Sequence, residues 1–168
     1  MTSADVLIDG YDRIRDAVLE AVEGLTEQDL AFRVDAQANS IAWLVWHLTR
    51  VQDDHLAGVS GTDQVWLARG FRDRFGLPFD EADIGYGHSS DQVAAVRAPA
   101  NLLTEYHDAV HRQTTDSVRK LTDEDLDEVI DRGWTPPVTR GVRLVSVLAD
   151  GLQHAGQAAF VRGIVERR

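Results

Sequence analysis

The stretch Ser40-Ile41-Ala42-Trp43-Leu44-Val45-Trp46-His47-Leu48 reads as the opening turns of a helix, capped by Asn39 or Ser40. Ile41, Leu44, Leu48 and Val51 recur three or four apart, the helical period, and the pattern runs to about Leu56. Working outward, three further segments carry the same period. Asp5 to Val22 places Leu7, Tyr11, Ile14, Val18 and Ala21 on one stripe, with Thr2 or Ser3 as the cap. A third helix starts near Pro99, a good first-turn residue, and continues to Leu121 through Leu103, Tyr106, Val110, Thr114 and Val118. The fourth runs from about Gly141 to Val165 and is apolar nearly all round, which predicts a buried helix. Strand signals are nearly absent, because few runs alternate and the turn residues do not fall at hairpin spacing. Four such helices bury their stripes best against one another. The expectation is an all-α four-helix bundle in which residues 1–168 form one domain.

The links between these helices are unequal. Those joining helices 1 to 2 and 3 to 4 each span about 17 residues, while about 40 residues separate helix 2 from helix 3. That long link holds Gly70, Gly76, Pro78, Gly85 and Gly87 between aromatic residues, and Ser90-Asp91 can cap a small helix inside it. Leu25-Thr26-Glu27-Gln28-Asp29-Leu30 follows helix 1, and Leu121-Thr122-Asp123-Glu124-Asp125-Leu126 follows helix 3. In each, Thr caps a short helix and the acid three residues on answers it, so the chain carries a weak internal repeat.

Composition excludes several functions. The 17 Lys and Arg against 28 Asp and Glu give a formal charge of -11, the wrong sign for a general nucleic-acid binder. There are no cysteines, hence no disulfides, thiolate metal site or cysteine nucleophile. The first residues show no signal-peptide pattern, and the longest apolar run, Ile41 to Trp46, is far short of the roughly 20 residues that span a bilayer. These features predict a cytoplasmic protein with no membrane partner.

Phosphate loops, nucleophile elbows and zinc-protease motifs are missing, which leaves the histidines. His47 borders the apolar stripe of helix 2 and should point inward. Asp150 and His154 lie at i, i+4 on helix 4, about 6 Å apart along its axis. Their strip also carries Val147, Ala158 and Val161, so a carboxylate and an imidazole sit among apolar residues and need partners. Bundles build metal sites by pointing such groups inward from facing helices. One His plus an Asp/His pair supplies three ligands and leaves a position open. The plainer alternatives are a satisfied core histidine and a simple Asp150–His154 ion pair.

The chain resembles the DinB-like superfamily, which includes thiol-dependent S-transferases and mycothiol-dependent maleylpyruvate isomerases. Three features carry the likeness: the Ser40 to Leu48 stretch, Asp150-x-x-x-His154-Ala155-Gly156-Gln157, and the long link between helices 2 and 3. The resemblance covers essentially the whole chain. It implies a four-helix bundle, often a homodimer, that binds zinc or nickel through His47, Asp150 and His154. It departs from the family at Asp150, where Glu or His is usual. The shorter side chain reaches less far, and metal identity and affinity turn on it. The family implies a small-molecule thiol as cosubstrate and an electrophile as its partner. Lys120 is the only lysine, a bias that GC-rich coding produces, and this favours mycothiol as the thiol.

The remaining histidines divide. His107 and His111 read as a helix-packing and solvent-edge pair. His55, about 12 Å along the helix from His47, is too far to share one ion. His88, in Gly85-Tyr86-Gly87-His88, is the candidate catalytic residue, a loop-borne proton carrier over the open end of the bundle. Trp43 and Trp46 either wall a pocket or simply pack. Arg140, Arg143 and Arg162 either attract an anionic substrate or form caps and ion pairs. Two function classes follow: a metal-dependent thiol S-transferase or isomerase, and a non-catalytic metal-binding bundle. Thiol-dependent turnover separates them.

Overall fold

A computed structural model describes residues 1–168. Its four long helices are α1 (Ser3–Val22), α3 (Ile41–Ser60), α7 (Ala100–Val118) and α9 (Arg140–Val165). Short helices α2 (Glu27–Leu30), α4 (Val65–Ala68), α5 (Phe71–Phe75), α6 (Ser90–Ala95) and α8 (Asp123–Leu126) sit in the links. The all-α bundle read from the apolar stripes is the observed fold. No helix is long and apolar enough to cross a membrane.

Local chemistry sets the helix ends. Thr2 caps α1, and reciprocal bonds with Asp5 complete a capping box. The two expected Thr boxes are present, Thr26 with Asp29 at α2 and Thr122 with Asp125 at α8. The cap of α6 is Ser89, with Gln92 answering, rather than Ser90. The link from α8 to α9 contains what the sequence did not signal, a two-stranded antiparallel hairpin, β1 (Val129–Asp131) with β2 (Val138–Thr139). Its strands are too short for alternation to be recognised.

α1 and α3 lie diagonally across the bundle, and α7 and α9 each pack against both. The α1–α9 crossing brings side chains close to two glycines. A Cβ on Gly10 would lie 2.3 Å from Leu148 Cδ1, and one on Gly151 would lie 2.9 Å from Ile14 Cδ1. The buried helix is α3, in which every residue from Ile41 to Asp53 is buried. α9 differs from the expectation of a buried helix. Val142, Val145, Leu152 and Phe160 are 52%, 55%, 43% and 68% exposed, so an apolar face of α9 points to solvent. All-round apolarity marks a helix that needs neighbours, and one chain covers only part of it.

The core also holds charge. Arg50, fully buried, donates to Gln64 Oε1, to Tyr106 OH and to the carbonyls of Glu81 and Asp83. Tyr106 donates to Asp53 Oδ2 at 2.8 Å, and Asp53 accepts the Val65 and Trp66 amides that open α4. An Arg and an Asp one turn apart on α3 thereby anchor the start and the middle of the long link, with their desolvation offset by hydrogen bonds. The 81–84 backbone is held against α3 beside His47 and Arg50, where it matters for the site.

Candidate metal centre

His47 on α3 and Asp150 and His154 on α9 meet where the two helices pack. Their potential ligating atoms all lie within 4.8 Å of one another. His47 is 5% exposed, and its ring stacks on Trp43 with centroids 4.5 Å apart. The two imidazoles approach edge to face at 4.9 Å.

Hydrogen bonds behind the rings decide which nitrogen faces the centre. His47 Nδ1 lies against the Ile84 carbonyl, which only accepts, so Nδ1 carries the proton and the Nε2 lone pair is left free. His154 Nδ1 is 2.9 Å from Gln157 Oε1, which fixes the same orientation, and its Nε2 is 3.4 Å from Asp150 Oδ1. Asp150 Oδ2 is buried with no hydrogen-bond partner. A buried carboxylate oxygen without a partner is costly, and a cation beside it removes the cost.

The electrostatics agree. Burial pushes the His47 pKa below its ordinary value, ahead of an opposing contribution from the Ile84 carbonyl. His154 is raised, first by its hydrogen bond to Asp150, against its own burial. The carboxylate thus draws positive charge to the point where the three side chains converge. Tetrahedral ligands at about 2.1 Å from a zinc ion stand roughly 3.4 Å apart, so small rotamer adjustments close this trio on an ion. The residues fit a divalent metal with an open coordination position.

Gly85 makes the Ile84 contact possible. It has φ +92, and a Cβ there would lie 2.8 Å from His47 Nδ1 and 2.9 Å from a Trp46 ring carbon. Only a residue without a side chain lets this backbone approach so closely.

His88 stands elsewhere than a proton carrier over the bundle would. Its side chain is 3% exposed. Nδ1 accepts from the Trp43 indole at 3.1 Å, and Nε2 donates to Asp83 at 3.0 Å. With both nitrogens engaged, His88 braces Trp43, which packs on His47. His107 is fully buried and bonded to Thr49, while His111 pairs with Asp12 at 2.7 Å. Arg140 pairs with Glu128 and Arg143 with Asp131; Arg162 bonds Glu166 and the α1 terminal carbonyls of Glu20 and Glu23. These arginines form ion pairs and caps.

Sequence reading missed the Arg50–Asp53–Tyr106 network and the part Gln157 plays in orienting His154. A signal existed for each: a charged pair on an apolar helix, and an amide one turn past a ligand-type His. The Ile84 carbonyl had none, since backbone groups leave no mark in sequence.

A cavity of about 520 Å3 opens beside the trio and includes His47, Asp150, Val51 and Val147 in its lining. It extends to the hairpin and to His55.

The sequence model of mycothiol-S-transferase matches residues 6–166. Among curated proteins no sequence matches the chain. A crystal structure of a conserved protein from Enterococcus faecalis aligns over 100% of this chain and 99% of that one, with 30% identity and a TM-score of 0.93. A DinB-like protein from Bacillus cereus ATCC 10987 shares the fold at a TM-score of 0.62 and 16% identity, over 92% of this chain and 87% of that one. With its DinB-like bundle and a family match over nearly its whole length, the chain belongs to the mycothiol S-transferase family.

Proposed function

We propose that the protein is a divalent-metal-dependent transferase that joins a low-molecular-weight thiol of the mycothiol type to an electrophile. One observation carries the reading. The free Nε2 of His47, the Nε2 of His154 beside Asp150 Oδ1, and the unpartnered buried Oδ2 of Asp150 converge at the edge of a cavity large enough for a small substrate. A purely structural site would have no use for that cavity, and a closed tetrahedral set would need a fourth ligand.

His47, Asp150 and His154 would hold zinc or nickel. When bound, such an ion supplies Lewis-acid stabilisation of a thiolate at neutral pH. The chain's own residues do the rest. Ile84 and Gln157 fix the ligand tautomers, as outer partners of metal-binding histidines generally do. Trp43, braced by His88, covers the His47 ring and keeps water from that side. The open cavity receives the electrophile. There the sulfur forms its new bond to carbon, the displaced group leaves with the bonding pair, and the thiol proton passes to solvent.

The reading includes self-association through the apolar face of α9, where Val145, Leu152 and Phe160 are exposed. Metal content by elemental analysis of protein purified without a histidine tag tests the centre. About one zinc or nickel per chain, absent from His47→Ala and His154→Ala, supports it, with thiol-dependent loss of 1-chloro-2,4-dinitrobenzene as the activity assay. Wild-type protein that takes up no metal after dialysis against zinc or nickel overturns it.

A further inference from the structure

The cavity beside the trio has a second polar end, built by α3, α9 and the hairpin. His55 follows His47 by eight residues on α3, about 12 Å along the axis, and both line the same space. Arg143 Nη1 lies 3.2 Å from His55 Nδ1. A guanidinium has donors only, so Nδ1 must offer its lone pair and the ring proton sits on Nε2. That N–H has no partner within the protein. Arg143 is itself pinned by Asp131 Oδ2 at 2.9 Å, so a strand residue of β1 holds the arginine that sets the histidine tautomer. This is the orientation logic of the His47 and His154 rings, used on a histidine too distant to be a ligand.

We propose that this end of the cavity is a recognition subsite for an uncharged hydrogen-bond acceptor of the second substrate, with His55 Nε2–H as the donor; this rests on the reading of the site as a thiol transferase. The charges facing the ring argue for an uncharged group. The Arg143 cation is already met by Asp131, while Asp54 Oδ2 stands 3.8 Å from the ring and Asp150 also faces it. An anion would meet the Asp54 carboxylate beside an Arg143–Asp131 pair whose charges already cancel. Burial, then Arg143, keeps the imidazole below its ordinary pKa, so at neutral pH it is a neutral donor.

Two large aromatics shape the rest. Trp134 and Tyr86 are 66% and 91% exposed, yet both line this cavity. Exposed aromatic rings at a cavity edge present flat apolar faces for a planar group. The substrate class is then a flat, mostly apolar electrophile bearing a carbonyl-type oxygen roughly 12 Å from its reacting carbon, the helical rise between His47 and His55.

Three isosteric probes test this without thiol or turnover: acetophenone, benzoate and ethylbenzene, each titrated into 15N-histidine-labelled protein. The expected result is a His55 resonance with the proton on Nε2, shifted saturably by acetophenone, with benzoate and ethylbenzene at least tenfold weaker. His55→Phe, which keeps an aromatic ring, should erase the preference as read at the remaining histidine resonances, and Arg143→Met should mix the tautomers. Preferential binding of benzoate, equal binding of all three, or no response at His55 would overturn the subsite. Because no transfer is measured, a failed thiol-transfer assay leaves this result standing, and a failed titration leaves the transfer assay standing.

Discussion

Replacing Gly85 by Ala should weaken metal binding from a position that touches no metal. The added Cβ meets His47 Nδ1 at 2.8 Å and the Trp46 ring at 2.9 Å, both atoms of rigid rings packed in the core. Its backbone, at φ +92, lies in the region where an L side chain costs about 1–2 kcal/mol. Overpacking adds about 1–3 kcal/mol, so the apo-protein should lose about 2–5 kcal/mol of stability. The chain relieves that strain by moving the 84–85 backbone outward, which breaks the Ile84–His47 hydrogen bond. Without that acceptor, His47 is free to carry its proton on either nitrogen and to rotate. Loss of such a partner typically costs 10–100-fold in metal affinity. Gly87→Ala is the control, because it has φ +73 but nothing within 4 Å of its Cβ. It should cost about 1–2 kcal/mol and leave affinity unchanged. Denaturant unfolding in chelator measures the first quantity, and zinc competition against a chromophoric chelator measures the second. A folded Gly85→Ala protein with wild-type affinity, or an equal affinity loss in Gly87→Ala, would refute the argument that the Ile84 carbonyl orients His47.

Three other outcomes follow from the structure. Arg50→Met leaves the buried Asp53 without its cation and removes the tether on the Glu81 and Asp83 carbonyls, and should cost about 3–5 kcal/mol in denaturant unfolding. His107 is pushed by burial to about 3, so folding favours its neutral form. Its contribution is complete above the unfolded value near 6.5 and is lost as pH falls toward 3, at roughly 1.4 kcal/mol per pH unit; His107→Asn should lose that share of the slope in unfolding curves taken between pH 7 and 4. Phe160→Glu places charge on the exposed face of α9 and should shift a dimer to monomer in sedimentation, with metal content unchanged; a wild type that sediments as a monomer removes the proposed interface.

Periodicity exposed the four long helices because each buries a stripe, and a stripe is a one-dimensional pattern that sequence records. The capping boxes were equally legible, since Thr26 with Asp29 and Thr122 with Asp125 act within one turn. The hairpin was not, because three residues paired with two give too little pattern. The burial of α3 over α9 was not, because both are apolar and only the assembled packing says which is enclosed. Resemblance to the family named His47, Asp150 and His154 as a set, and the fold brings them together. What could not be read is what aims them. Ile84 contributes through its carbonyl, whatever its side chain, and it reaches His47 only because Gly85 is bare and Arg50 holds the preceding turn from below. Arg50 in turn looks like an error on an apolar helix until Asp53, Tyr106 and the link are seen around it. In this protein a local rule is broken where the core must hold a loop, and the loop is held so that one carbonyl meets one nitrogen.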